Sequence, residues 1–249
     1  MTYTAVASLK GSPGATTVAY SLAKVLAAGG HETILVDADR FGGSIGPILG
    51  LPGLPSIRNM AQATRRQPNP DAVPGFVQQV EPNLGVIVGI TSLEQSVALT
   101  EMWPNVAATL AATGPATVIV DIGRVPESHS GAGAMAKLAS RLIVVTRADR
   151  QSAVFLASWS QTLRGLGHEI EVVLSEASAR GAAEMSEATD LPVVATLPTL
   201  KSGGFSDSGY ASLPGRGEFA SAIGLIAGRA LLSPNGALAH SGASKGQSL

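Results

Sequence analysis

The sequence predicts an α/β protein built on a single doubly wound, mainly parallel sheet flanked by helices. Short runs rich in β-branched residues recur along the chain, and most of them are continuously apolar. Such runs are typical of strands that are covered on both faces. Alanine-rich segments with helical spacing lie between them. This alternation of strand and helix is the pattern of parallel strands joined by helical crossovers.

Seven segments carry the strand pattern: TAVASL, TILVD, LGVIVGI, TVIVD, RLIVVT, EVVLS and PVVAT. The first helix is predicted from an i, i+4, i+7, i+8 stripe that Gly29-Gly30 ends: Val18, Leu22, Val25 and Leu26. A docked C-terminal helix is predicted from a second apolar stripe: Phe219, Ile223, Ile226 and Ala230.

Two stretches interrupt this rhythm. Residues 52–82 are rich in proline, and we expect short helices there over the edge of the sheet. Residues 201–217 form a glycine- and serine-rich loop, of a length that usually indicates function or mobility. Residues 1–232 are expected to form one domain, and the small, polar segment 233–249 a disordered tail.

The composition narrows the classes of function. Hydrophobic residues make up 45% of the chain and charged residues 14%, which suffices for a core and argues against global disorder. A formal net charge of −1 gives no strong attraction to nucleic acid or anionic membranes. The absence of cysteine excludes disulfides, thiol catalysis and cysteine-ligated metals. With no leader-like start and no long apolar run, we expect a cytoplasmic protein without an integral membrane segment.

The segment KGSPGATT, residues 10–17, lies between the first predicted strand and the first predicted helix. In this layout backbone N–H groups and a helix N-terminus can surround a phosphate chain. Gly11 and Gly14 permit the close approach that such a loop requires, and Thr16 places a hydroxyl where it can coordinate Mg²⁺. An ordinary strand-to-helix turn is the alternative interpretation of this octapeptide.

Three carboxylates follow predicted strands. Asp37 and Asp39 lie at the end of ILVDAD, and Asp121 ends VIVD. Because ligands of open α/β sheets bind at the carboxyl ends of strands, these side chains and the loop are expected to converge. A single aspartate in such a place often caps a helix, whereas three beside a phosphate loop favour a site.

The order of these three features resembles the ParA/MinD family of deviant phosphate-loop ATPases. Members act in DNA partition and in the placement of division sites, flagella and pili. Their loop reads K-G-G-x-G-K-[ST]-[ST]. Five positions match it, namely Lys10, Gly11, Gly14, Thr16 and Thr17, whereas Ser12 and Ala15 depart from it. The resemblance extends from the N-terminus to about residue 230.

The resemblance implies that ATP and Mg²⁺ bind and that two subunits close around the nucleotide. Lys10 would reach the partner subunit's phosphates, and Asp39 would position the attacking water. Thr16, Asp37 and Asp121 would surround the metal. The implied nucleotide-binding residues are Lys10, Gly11, Ser12, Pro13, Gly14, Ala15, Thr16, Thr17 and Ser175, the last standing where the family usually has an adenine-reading asparagine.

Ala15 replaces a lysine that would bind the β- and γ-phosphates. Charge-assisted hydrogen bonds contribute about 1.5–3 kcal/mol each, so its loss weakens binding without abolishing it. A cation at the transition state is worth about 10³–10⁵ in rate, so hydrolysis is expected to be slow or lost. Alanine at this position resembles the TadZ/CpaE-like branch, whose members place or organise pilus machinery, and similar loops occur in uncharacterised actinobacterial ParA-like proteins.

We therefore expect an ATP-binding protein whose nucleotide-dependent dimer positions or partitions a cargo through a protein partner or adaptor. One alternative is a nucleotide-free pseudo-ATPase scaffold for a pilus or secretion system. Another is a DNA-stimulated partition ATPase, since four arginines cluster around one predicted strand and its helix: Arg141, Arg147, Arg150 and Arg164. The balanced net charge favours a solvated helix face over non-specific DNA binding for these arginines.

Overall fold

The computed structural model describes residues 3–10, 14–125, 133–167, 169–199 and 216–232. The strands within these ranges are β1 (Thr4–Ser8), β2 (Thr33–Asp37), β3 (Gln78–Glu81), β4 (Leu84–Ile87), β5 (Thr117–Arg124), β6 (Arg141–Arg147), β7 (Glu169–Ser175) and β8 (Val193–Leu197). The helices are α1 (Ala15–Ala28), α2 (Ile45–Ile48), α3 (Ile57–Ala63), α4 (Leu93–Leu99), α5 (Trp103–Ala111), α6 (Gly133–Lys137), α7 (Arg150–Arg164), α8 (Ala179–Thr189) and α9 (Glu218–Leu231). A 3₁₀ helix spans Pro70–Phe76.

The eight described strands form one sheet in the order β3-β4-β2-β5-β1-β6-β7-β8. Every neighbouring pair is parallel except β3 and β4. The predicted fold class and all seven predicted strands are therefore confirmed. The eighth strand, β3, was not predicted, because QQVE is a half-exposed edge strand without an apolar run.

Helices cover both faces of the sheet, which explains why the strands are continuously apolar. α1 and α9 pack on one face against side chains such as Val6, Ile119 and Val145. α3, α5, α6 and α7 pack on the other face, where alternate residues of the same strands point, such as Ala5 and Val120. Parallel strands joined by helical crossovers require this two-sided burial.

The face that α1 turns to the sheet differs in one position from the predicted stripe. Val18, Leu22 and Leu26 are buried as predicted, but Val25 is 37% exposed, and Ala19 and Ala23 are buried in its stead. The small alanines let the helix approach the sheet closely, and Val25 lies at the border of the buried face of the helix. In α9 the predicted Phe219, Ile223 and Ile226 are buried, and Ala230 is half-buried.

Residues 52–82 contain α3, the 3₁₀ helix and edge strand β3, so the prediction of short helices beside the sheet is confirmed. Most of the predicted 201–217 loop, residues 201–215, lies outside the described residues, as does the 233–249 segment. The domain boundary at residue 232 therefore stays a prediction. No helix within the described part of the chain is long and apolar enough to cross a membrane.

A buried ion cluster fastens α9 to the starts of β6 and β7. The Nε of Arg229 donates to Glu171 Oε1 at 2.7 Å, and Arg141 Nη2 donates to Glu169 Oε2 at 2.5 Å. Arg141 is only 5% exposed and Glu171 1%, and an Arg141 nitrogen lies 3.8 Å from the Glu171 carboxylate. Such a cluster is costly to break, since removing one partner leaves a buried charge.

This cluster corrects the interpretation of the four arginines as one solvated basic face. Arg141 is buried among carboxylates, and Arg164 pairs with Asp190 at 2.7 Å. Of the four, Arg147 and Arg150 remain exposed and form no ion pair with the described residues. The four positions do not make a continuous basic surface, which weakens the case for DNA binding there.

Candidate functional site

The junction between β1 and α1 lies where the strand order reverses. β1 is hydrogen-bonded to β5 on one side and β6 on the other, and ligands of open α/β sheets bind at such points. Gly14 precedes α1 with a left-handed backbone, φ 96° and ψ 26°, a conformation that glycine adopts readily. The first turn of α1 thus presents its N–H groups and the positive end of its dipole to the carboxyl ends of the parallel strands, which form the carboxyl edge of the sheet. Gly11, Ser12 and Pro13 lie outside the described residues.

Thr16 and Asp121 meet at this junction. The Thr16 hydroxyl is hydrogen-bonded to the Asp121 carboxylate, which also accepts the Gly123 N–H at 2.9 Å. Asp121 is 1% exposed, and burial raises its pKa to about 6 despite these hydrogen bonds. The predicted meeting of loop hydroxyl and strand-end carboxylate is therefore present in the structure.

Asp37 lies beside Asp121, because the two residues are register partners on the parallel strands β2 and β5. Its Oδ2 accepts the Ile45 N–H at 3.0 Å, and its Oδ1 accepts the Asp39 N–H at 3.4 Å. Burial, followed by the neighbouring charge of Asp121, raises the pKa of Asp37 to about 7. Because both carboxyl groups are buried and lie on adjacent strands, ionisation of one disfavours ionisation of the other.

Two glycines enclose Asp37, and sequence reasoning missed both. A Cβ at Gly43 would lie 2.6 Å from Asp37 Oδ2, and one at Gly89 would lie 2.8 Å from the carboxyl carbon. Only glycine leaves room for the carboxylate at these two places. The contact joins segments far apart in the chain, so no local sequence signal indicates it.

Asp39 lies just past the end of β2, half-buried and against the backbone of Gly123. It accepts the Phe41 N–H at 2.8 Å. Burial raises the pKa of Asp39, while that hydrogen bond and the charges of Arg124 and Arg40 act in the opposite direction. Asp39 is thus at the carboxyl edge, as predicted, but more accessible than the other two carboxylates.

The cations near the junction do not come from position 15. Ala15, the first residue of α1, is 7% exposed and packs into the core. Lys10 is exposed just after β1 and forms no ion pair with any described residue. Arg40 and Arg124, which the site prediction did not include, lie close to Asp39.

A cleft of about 180 Å³ opens beside the junction. It is lined by Gly14, Thr17, Arg147, Ser175, Leu197 and Phe219, among others. The Ser175 hydroxyl donates to the Thr146 carbonyl at 3.3 Å. The volume is below the roughly 300–1,000 Å³ of pockets that enclose whole drug-sized ligands, so the cleft suits part of a ligand, such as one ring system.

The donor set fits Mg²⁺. Within the described residues, no three His, Cys, Asp or Glu side chains form a metal cage. Mg²⁺ seldom uses such a cage and is usually held by one or two carboxylates together with phosphate oxygens and water. Thr16 and Asp121 offer a hydroxyl and a carboxylate, and no Lys, Arg or His in the described ranges pairs with Asp37 or Asp121. A divalent cation would compensate these buried charges.

Solved structures with the same fold come from ATPases. A ParA family ATPase from Chlorobium tepidum TLS aligns with TM-score 0.74 and 18% identity, over 92% of this chain and 97% of the other. The cell division ATPase MinD from Pyrococcus furiosus gives 0.75 and 18%, over 92% and 98%. MinD from Pyrococcus horikoshii OT3, complexed with Mg-ADP, gives 0.72 and 18%, over 92% and 96%.

The sequence matches no protein-family model and no curated protein. At such low identity the structural likeness shows the fold alone. The resemblance to ParA and MinD ATPases that the three sequence features predict is thus confirmed for the fold.

The raised pKa of Asp37 predicts how stability depends on pH. In buffer with EDTA the folded state holds this proton to about pH 7, whereas the unfolded chain releases it near 4, so stability falls between these values as pH rises. Asp37→Asn should flatten that slope by up to about 1.4 kcal/mol per pH unit. Urea unfolding of both proteins from pH 4 to 7 measures the difference.

Asp149→Asn is the control, because it makes the same change of side chain at a carboxyl whose pKa is lowered instead of raised. The Ser152 N–H, which caps α7 through Asp149, lowers the pKa of this exposed carboxyl. Its ionised form therefore supports the fold above its ordinary pKa, so Asp149→Asn should lower stability by a nearly constant amount from pH 4 to 7 and leave the slope of wild type unchanged. Equal slopes in wild type and Asp37→Asn would contradict the account of the buried carboxylates.

Proposed function

We propose that this chain binds ATP with Mg²⁺ at the β1–α1 junction, dimerises around the nucleotide and uses that state to position or partition a cellular cargo. One observation carries the proposal: the Thr16 hydroxyl and the buried Asp121 carboxylate are hydrogen-bonded beside the N-terminus of α1. A carboxylate that only caps a helix needs no burial, whereas Asp121 is 1% exposed and has no Lys, Arg or His partner among the described residues.

Each residue of the site then has a part. Main-chain donors of residues 11–17 and the α1 dipole hold the phosphates, while Thr16 and Asp121 hold the metal. Asp37 adds a second buried charge beside Asp121. Asp39, half-exposed at the same edge, orients a water molecule. Mg²⁺, when bound, neutralises charge on the phosphate oxygens.

Ser175 and the cleft that it lines take the base. Because its hydroxyl is committed to the Thr146 carbonyl, Ser175 contributes shape more than hydrogen-bond recognition. Selectivity for adenine therefore depends on other groups at the cleft.

Binding and hydrolysis are expected to separate in this protein. Backbone amides, helix dipole and metal remain for binding, whereas the buried Ala15 offers no cation to the charge that develops during phosphoryl transfer. Hydrolysis is accordingly slow or absent, and the bound state acts as a long-lived signal to a protein partner or adaptor.

Ala15 also favours a second candidate, a pseudo-ATPase scaffold that does not bind nucleotide and keeps only the fold and its interaction surfaces. Calorimetric titration with ATP and with ADP, each with Mg²⁺, separates the two candidates. The first requires saturable binding and, at 100 times the Kd, about 2.7 kcal/mol of added stability. Absence of binding heat together with an unchanged melting temperature would leave the scaffold as the function.

Restoring the missing cation should restore turnover. Ala15→Lys is expected to raise the ATP hydrolysis rate at saturating nucleotide by at least about tenfold, given the 10³–10⁵ that a transition-state cation can contribute. Phosphate release measures the rate. The double variant Ala15→Lys, Thr16→Ala is the control, since it restores charge but removes the metal-binding hydroxyl. Equal rates for Ala15→Lys and wild type would count against an otherwise intact catalytic site.

Lys10 is expected to hold the nucleotide-dependent dimer together. Lys10 is exposed just after β1, and in the proposed dimer it contacts the phosphates of the second subunit. Lys10→Ala should abolish dimerisation with ATP and Mg²⁺, as measured by light scattering. Lys137→Ala is the matched control, because Lys137 is exposed at the end of α6, shortly before β6 begins and thus near the amino ends of the strands. A Lys10→Ala protein that still dimerises with ATP would refute this role.

A further inference from the structure

Two arginines share one exposed aromatic ring at the carboxyl edge. The guanidinium carbon of Arg40 lies 4.7 Å from the centre of the Phe41 ring, and that of Arg124 lies 5.8 Å from it. Phe41 is 54% exposed, so the ring serves as a platform for the arginines and adds little to the core. Cation–π contacts of this kind hold a guanidinium in place while its N–H donors stay available at the edge.

The backbone of Arg124 is fixed beside the end of β1. Ser8 and Arg124 are register partners, and the Val125 N–H donates to the Ser8 carbonyl at 2.8 Å. The Ser8 hydroxyl donates to the Gly123 carbonyl at 3.1 Å. Arg124 therefore lies opposite Ser8, which is two residues before Lys10 in the chain. Within its own strand, Arg124 follows Asp121 by three residues.

Arg124 has no carboxylate of its own among the described residues. Arg124 is exposed and forms no ion pair within 4 Å among the described residues. Asp39 is the nearby carboxylate, and it is shared between Arg124 and Arg40. Two guanidinium groups thus share one accessible carboxylate, and Lys10 is exposed at the end of β1, the strand paired with the one that carries Arg124. An anionic group is the ligand that this arrangement fits.

We propose that Arg124 contacts the terminal phosphate of the bound nucleoside triphosphate and so supplies, from the end of β5, a charge that Ala15 cannot supply from the loop. This inference rests on the proposed function, because it assigns a residue of the same site. The planar guanidinium can bind two phosphate oxygens at once, and its stacking on Phe41 reduces the entropy lost on binding. Arg124 is thereby a specificity-determining residue for triphosphate over diphosphate.

The test compares four proteins by calorimetry with the non-hydrolysable analogue AMP-PNP and with ADP, both with Mg²⁺. Arg124→Gln removes the charge from an exposed side chain, and Arg124→Lys keeps the charge without the fork. Arg66→Gln is the matched control, because Arg66 is exposed beyond the end of α3 and pairs with no described carboxylate. Wild type is the fourth protein.

Arg124→Gln should weaken AMP-PNP binding about 10- to 100-fold, the loss expected for a charge-assisted hydrogen bond, and change ADP binding less than about threefold. Arg124→Lys should recover part of the loss, and Arg66→Gln should bind both nucleotides as wild type does. This pattern supports the inference even if melting temperatures differ slightly, since general destabilisation would affect both nucleotides alike.

Three outcomes overturn the inference. If wild type binds neither nucleotide, the proposed function and this inference fail together. If wild type binds and Arg124→Gln holds AMP-PNP equally well, only the inference fails, and the arginine pair is left as a surface for a protein partner. Equal weakening of AMP-PNP and ADP removes the terminal phosphate as the contact.

Discussion

Two carboxylates that lie side by side in the interior, Asp37 and Asp121, set the constraint on which the rest of the site depends. They occupy register-partner positions on parallel strands and are each 1% exposed. Among the described residues, their ionised forms are supported by backbone N–H groups and the Thr16 hydroxyl alone, and burial raises the pKa of both. A fold that retains this arrangement gives up stability unless a cation is held there.

The surrounding backbone is shaped by that pair. Gly43 and Gly89 approach Asp37 more closely than any side chain would allow, and the Ile45 N–H at the start of α2 points to its carboxylate. Gly14 turns the chain into α1 so that Thr16 reaches Asp121. The N–H groups at the start of α1, the Thr16 hydroxyl and the buried carboxylates thus come from separate segments that meet at one edge.

Position 15 of the loop carries no cation, and two arginines lie elsewhere at the carboxyl edge. Ala15 is in the core, Arg40 and Arg124 lie close to Asp39, and Lys10 is exposed just after β1. Under the proposed function, these cations attract a triphosphate but do not stand where a loop lysine would stabilise phosphoryl transfer. The proposed role is accordingly prolonged binding of the nucleotide, with slow or no turnover.

The architecture could be predicted because burial on both faces of the sheet requires a continuously apolar run in most strands. The ends of the strands, in turn, predicted that the strand-end aspartates and the loop come together, and in the structure Asp121 lies beside Asp37 and contacts Thr16. Other features depend on contacts between distant segments, which no local pattern reports. The enclosure of Asp37 by Gly89, the shared Phe41 ring and the buried ion pairs of Arg141 belong to this second kind. Polar edge strand β3 was missed because it lacks an apolar run.

The most direct test is a carbon-detected NMR titration of the Asp37 and Asp121 carboxyl groups, without ligand and with saturating ATP and Mg²⁺. Without ligand the two groups should titrate near pH 7 and 6. With the nucleotide and metal both should remain ionised well below those values, because a divalent cation favours the charged forms. Titration curves that are unchanged by ATP and Mg²⁺ would contradict the central claim that this edge of the sheet holds a metal–nucleotide complex.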